Sequence, residues 1–217
     1  MTDRENLIAA LSSDLAPVKP TGRPEPWALV WLLASAAYVV AVIHAMGPIR
    51  PEAMEQLATS SRFLVEMLVG LAAIALVSIA TFRASVPGLS SRATAIAGGV
   101  LMCVWIAGFI AGLENPALEP SMSGKRHYCF VETFIYALPP VLLAFLLLRR
   151  FYPMSVVGIA GSISLAAGML PALYMQIACM YIPAHILAFH VLPGFAVAAA
   201  GGAVALVVVR RRSRDNT

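Results

Sequence analysis

Charge is what this 217-residue chain has least of: Asp, Glu, Lys and Arg supply 12% of it, and 60% is hydrophobic, where an ordinary soluble domain is about a quarter charged. That excludes a soluble enzyme domain, which needs a wettable surface. It equally excludes a disordered tail, because disordered segments lack the apolar surface that offsets the entropy of ordering. Cysteine is scarce too. Cys103, Cys129 and Cys179 are too few for a disulfide scaffold, and the lack of any C-x-x-C argues against a zinc knuckle and a thioredoxin-like centre. The 15 basic residues exceed the 11 acidic ones by only four, so where the charges lie says more than their sum. What the chain has in surplus is apolar length, and its solvent is a bilayer.

A helix that rises about 1.5 Å per residue needs about 20 apolar residues to cross a hydrocarbon core of about 30 Å. Six segments qualify: 27–49, 63–83, 93–113, 128–148, 156–175 and 186–209. Glu66 alone interrupts the second. Pro139-Pro140 is expected to bend the fourth, since missing backbone donors loosen a helix. The last two divide an uncharged run, Phe151 to Val209, at its dip around Gln176 to Pro183. The expected fold is all-α, a six-transmembrane-helix bundle (27–209) between a hydrophilic tail (1–26) and a short basic tail (210–217).

An even number of crossings puts both ends on one side. The tails and loops of that side hold Arg4, Lys19, Arg23, Arg83, Arg92, Arg149, Arg150, Arg210, Arg211, Arg212 and Arg214; the other side holds Arg50, Arg62, Lys125 and Arg126. Basic flanks are retained in the cytoplasm, so both termini are expected there. The first apolar run starts late, is too long and follows too acidic a segment for a cleaved signal peptide, and is expected to remain as an anchor. This topology sends Cys129, Cys179, His44, His127, His185 and His190 to the outer side. Cys103 stays in mid-membrane, where packing is its expected role.

Residues 1–26 are the stretch able to act as a soluble module. Thr2 and Glu5 have the spacing of a capping box, Pro17 ends the segment, and at 100° per residue Leu7, Ile8, Leu11 and Leu15 share one narrow stripe. A helix of about 14 residues is marginal alone in water and needs a surface. Membrane-surface helices carry Lys and Arg opposite the apolar stripe, whereas this one has Asp3, Glu5 and Asp14 against Arg4. That disfavours lipid and leaves two surfaces open: the chain's own inner loops, or the groove of a partner.

The run Leu7-Ile8-Ala9-Ala10-Leu11-Ser12-Ser13-Asp14-Leu15-Ala16-Pro17-Val18 resembles the N-terminal signature of the NrsF family, negative regulators of sigma F, which are six-span membrane anti-sigma factors. The resemblance extends along nearly the whole chain, including one cysteine at the outer start of the fourth span and another before the sixth, here Cys129 and Cys179. It implies that the tail, through Leu7, Ile8, Leu11, Asp14, Leu15, Pro17 and Val18, binds an extracytoplasmic-function sigma factor at a bacterial inner membrane, without direct contact to nucleic acid. It implies too that the cysteine pair is needed for release under oxidative or heavy-metal stress. His190 matches a family histidine near the start of the last span. Many relatives have His directly before the second cysteine and an acidic cluster after it; here Ala178 precedes Cys179, and Met180-Tyr181-Ile182-Pro183 follow.

Two outer thiols can pair if folding brings their Cα atoms to about 5.5 Å. Alternatively, two thiolates and a neutral imidazole can bind zinc or another soft ion, with His127 or His190 the first candidate and His185 behind them. Lys125, Arg126 and a protonated His127 favour the Cys129 thiolate, and Glu132 opposes it; as plain loop residues, Lys125 and Arg126 would sit at the headgroups. Glu66, the acidic group well within a span, is a candidate signalling residue that could also reach the interface. Gly108, Gly112, Gly158, Gly161, Gly201 and Gly202 are expected to permit close helix packing. Two rival readings predict other features. A small transporter needs polar groups converging at mid-membrane and repeat-related broken helices; a membrane thiol oxidoreductase needs a paired exchange motif. Neither pattern is prominent, and a regulator rather than an enzyme is expected.

Overall fold

The computed structural model describes residues 3–13, 22–151 and 155–215, and among them every regular element is helical. Helix α1 spans Asp3–Ser13, α2 Glu25–Met46, α3 Ala53–Thr59, α4 Ser61–Ala84, α5 Arg92–Ala111, α6 Cys129–Leu148, α7 Val156–Ala178, α8 Pro183–Ile186 and α9 Leu192–Asp215. A widened turn with i→i+5 geometry, Leu187–Val191, joins α8 to α9. Six helices are long and apolar enough to cross a membrane: α2, α4, α5, α6, α7 and the continuous run Pro183–Arg214. This is a multi-pass membrane protein. The span ends fall within three residues of those expected, except that the last helix carries on through Arg210 to Asp215; basic groups in a final helical turn favour its negative dipole end. The short α3 was not legible in the pattern of apolar runs.

The helix starts follow from local chemistry. The Ser60 hydroxyl accepts a hydrogen bond from the Phe63 amide at 3.3 Å to begin α4, and Ser91 does the same for Thr94 in α5, each satisfying a donor that the first turn leaves orphaned. Pro26 and Pro183 stand in first turns, where a missing amide costs nothing.

Helix α7 is the axis of the bundle. Nearly all its side chains from Ile159 to Ala178 are buried, and α2, α4, α6 and α9 pack on it. Small residues allow this closeness: a Cβ added to Gly168 would lie 2.8 Å from the Gly194 Cα of α9. The outer faces of the peripheral helices stay apolar and exposed, as at Leu29 and Leu33 of α2, Val100 and Val104 of α5 and Leu142 of α6. Water would penalise that surface and lipid requires it.

Contacts fix which helix ends lie together. At one end, Arg83 in the last turn of α4 reaches Glu25 of α2 at 3.4 Å, and Arg150 after α6 lies over the Trp27 ring at 4.6 Å. At the other end, the Arg50 amide donates to Ala178 O (2.9 Å) and the Ser121 amide to Tyr181 O (3.3 Å), joining the loops after α2, α5 and α7. The helices alternate in direction accordingly.

Candidate functional site

Cys129 is the first residue of α6, and Cys179 follows the last turn of α7 in extended conformation. Because α7 ends where α6 begins, two residues fifty positions apart meet: their sulfurs stand 3.3 Å apart, both buried. This is a hydrogen-bonding distance between free thiols, since a disulfide requires about 2.05 Å. Cys129 Sγ also lies 3.3 Å from Arg126 O, and the Cys179 amide donates to Met175 O at 2.8 Å.

Two imidazoles complete the group. His185 Nε2 is 3.7 Å from Cys179 Sγ, and the ligand atoms of Cys129, Cys179, His185 and His190 all lie within 4.8 Å of one another. Five residues on an α-helix would set His185 and His190 about 140° apart around the axis. The widened turn over Leu187–Val191 brings position i+5 back beneath position i. His185 stacks on Phe189 at 4.7 Å and meets the His190 ring edge-on at 5.0 Å. His190 is fully buried; neither ring nitrogen makes a well-aligned hydrogen bond among the described residues, and the polar group it faces is the Cys179 thiol. Hydrogen bonds from Cys129 and His185 hold the Cys179 thiol well below its ordinary pKa, against the burial that raises it.

Of the residues singled out in the sequence, the structure therefore unites Cys129, Cys179 and His190, and adds His185, the least favoured of the three histidines. His127 is exposed and lies outside the group, because Arg126 before it turns inward. His44 is hydrogen-bonded to Tyr174 at 2.6 Å. Cys103 is exposed on the outer face of α5 instead of packed in the core.

Buried charge is dense around the cluster. Arg126, read in the sequence as a headgroup residue or a promoter of thiolate, is buried: its Nε donates to Glu132 Oε2 at 2.7 Å, and its Nη1 to Pro48 O at 2.9 Å and Ile43 O at 3.3 Å. Arg50 lies between the Phe63 and Tyr181 rings, 5.6 and 5.7 Å from their centroids, and its Nε, Nη1 and Nη2 make no hydrogen bond among the described residues. Burial lowers its pKa, and neighbouring Tyr181 and Cys179 oppose that shift. Gly124, at φ 77°, closes over it; a Cβ there would stand 2.8 Å from the Arg50 Cα. The Tyr181 hydroxyl donates to Glu66 Oε2 at 2.7 Å, while Arg62 faces the other carboxylate oxygen at 4.0 Å. Burial first, and then Glu66, raise the Tyr181 pKa. Glu66 thus ties α4 to the loop that begins at Cys179. Thr133, one turn along α6 from Cys129, and Gln176, three residues before Cys179, add further buried polar side chains that have no hydrogen bond among the described residues.

The tail differs. Every described side chain of α1 is exposed, and Leu7, Ile8 and Leu11 are each more than half exposed, so among the described residues nothing covers its aliphatic face. Thr2 of the capping box and Asp14, Leu15, Pro17 and Val18 lie outside the described residues. The first span after the tail is linked to the cysteine-bearing helix: Trp31 Nε1 of α2, fully buried, donates to Pro140 O of α6 at 2.9 Å.

Residues 11–211 match the NrsF family, described as negative regulator of sigma F. The match takes in both buried cysteines, both clustered histidines and the tail from Leu11 onward, leaving Leu7 and Ile8 before its start. No curated protein and no solved structure matches the chain.

Proposed function

The chain belongs to the NrsF family, and from that premise we propose that it is a membrane anti-sigma factor: its N-terminal tail sequesters an extracytoplasmic-function sigma factor at a bacterial inner membrane, and the Cys129–Cys179 pair triggers release. The observation that carries the reading is the division of the molecule into an uncovered aliphatic helix at its start and a buried dithiol at 3.3 Å. Leu7, Ile8 and Leu11 offer the face of a helix-in-groove ligand, continued by Asp14, Leu15, Pro17 and Val18. The protein acts by binding and is not an enzyme. Both termini are cytoplasmic, because the helix ends nearest them gather the Arg residues.

The trigger is a two-electron oxidation. The thiols of Cys129 and Cys179 give two protons and two electrons to hydrogen peroxide, one S–S bond forms, the O–O bond breaks, and two waters leave. The new bond joins the start of α6 to the end of α7. From there α6 leads to α2 through Trp31 and Pro140, and the loop after Cys179 leads to α4 through Tyr181 and Glu66. Turning a one-in-a-hundred releasing state into a nearly complete one takes about 5.5 kcal/mol of differential stabilisation, which a covalent bond can supply.

The test is capture of an extracytoplasmic-function sigma factor by the detergent-solubilised chain. Removal of residues 1–18 should abolish capture while the helical circular dichroism of the bundle persists; retained capture refutes the tail assignment. Cys129→Ser with Cys179→Ser should keep sigma bound under peroxide, and unaltered induction of sigma-dependent transcription sinks the trigger.

A further inference from the structure

Four side chains at the cysteine end have the composition and spacing of a closed metal centre. A tetrahedral ion with sulfur at about 2.3 Å and imidazole nitrogen at about 2.0–2.1 Å sets its donors roughly 3.4–3.8 Å from one another. The Cys129–Cys179 and Cys179–His185 separations are 3.3 and 3.7 Å, and no pair in the group of four exceeds 4.8 Å. Movements of a few tenths of an ångström, and of no more than about 1.4 Å for the widest pair, close the remaining difference.

His190 supplies a second, independent indication. A fully buried imidazole that makes no well-aligned hydrogen bond among the described residues and faces only the Cys179 thiol is costly, since a buried polar group poorly satisfied loses about 1–3 kcal/mol. Its ring lies edge-on to His185 and within the same 4.8 Å sphere as both sulfurs. The turn over Leu187–Val191 departs from α-helical geometry, and that departure is what brings the two rings to one place. A divalent ion held by two thiolates and two neutral imidazoles has no net charge, so the complete centre can be buried where a bare cation cannot. Two sulfurs and two nitrogens suit a borderline-soft ion of tetrahedral habit.

We propose that Cys129, Cys179, His185 and His190 form a structural Zn2+ site that ties together the start of α6, the end of α7 and the start of the last span while the two cysteines are reduced. The inference rests on the release reading for its consequence but on geometry alone for its existence. Peroxide then acts on a bound centre: one peroxide and two protons convert the two zinc-bound thiolates to a disulfide, two waters and free Zn2+.

The full chain, purified in detergent without a histidine tag and under reducing conditions, is expected to hold one Zn2+ per chain by elemental analysis. Cadmium exchanged into it should give a thiolate-to-metal charge-transfer band in the ultraviolet. Cys129→Ser and Cys179→Ser should lose the metal, His185→Gln and His190→Gln should weaken cadmium binding at least tenfold, and His127→Gln should leave it unchanged. A chain without stoichiometric zinc or a cadmium band overturns the site, as does His190→Gln binding like the parent. Should the buried histidine variants fail to fold, the visible spectrum of cobalt in the parent chain decides: tetrahedral thiolate and imidazole ligation supports the site, and six-coordinate cobalt refutes it. A parent chain that captures sigma but purifies without zinc would refute the metal site and spare the anti-sigma reading; stoichiometric zinc in a parent chain that captures no sigma would do the reverse.

Discussion

At the cysteine end of the bundle the ionic groups are enclosed. Arg126 meets Glu132 at 2.7 Å with its side chain 1% exposed, Arg50 lies between two aromatic rings, and Glu66 is capped by Tyr181. At the end where α2 begins the same kinds of group are open: Glu25 and Arg83 meet at 3.4 Å with side chains 41% and 34% exposed, and Arg210, Arg211, Arg212 and Arg214 project from the last turns of α9. A buried charge pair tolerates little rearrangement, because loss of either partner strands the other away from water. An exposed pair is hydrated either way and contributes little. The first end is therefore built to hold one geometry around its thiols, and the second to stay accessible.

Breaking this contrast should cost most where charge is most enclosed. Glu132→Gln strands the Arg126 guanidinium among carbonyls and should lower stability by about 3 kcal/mol, read as a fall in the midpoint of thermal unfolding in detergent. Tyr181→Phe removes the donor from a buried carboxylate and should cost about 1–3 kcal/mol; it should also blunt release by peroxide, since the loop after Cys179 loses its tie to α4. Trp31→Phe removes one hydrogen bond between α2 and α6 at an expected cost of about 1–2 kcal/mol, with sigma still captured but less completely released. Glu25→Gln, the counterpart at the open end, should move the unfolding midpoint by less than about 0.5 kcal/mol. A loss at Glu25 comparable to that at Glu132 would erase the distinction between the ends.

The six spans were legible because lipid imposes one demand, about 20 apolar residues without charge, and the few interruptions such as Glu66 are visible as interruptions. The partners of those interruptions were not. Nothing in the local pattern sets Tyr181 against Glu66, 115 positions away, or turns Arg126 inward to Glu132 instead of outward to headgroups. Regular helical geometry separates His185 from His190, and only the widened turn unites them, so the sequence could not rank His185 above His127. Of the glycines expected to permit close packing, Gly201 lies directly against Ser164 of α7, whereas at Gly108 and Gly161 an added Cβ meets nothing nearer than about 4 Å; close contact also occurs at Gly168 and Gly194, which the pattern did not single out. Glycine shows where backbones can touch, while the rotation of the helices decides where they do.

The proline pair of α6 has a mechanical consequence. Pro139 and Pro140 carry no amide hydrogen, so the carbonyls of Ile135 and Tyr136 have no helical donor to lose, and flexing α6 at this joint breaks no backbone hydrogen bond there. From the joint to Cys129 is ten residues, a lever arm of about 15 Å. Closing the sulfurs from 3.3 Å to the bonded distance of about 2.05 Å asks the tip of that lever to travel roughly 1.3 Å. A tilt of about 5° suffices, and the joint about which it turns is held to α2 by the hydrogen bond from Trp31 to Pro140 O, which moves least.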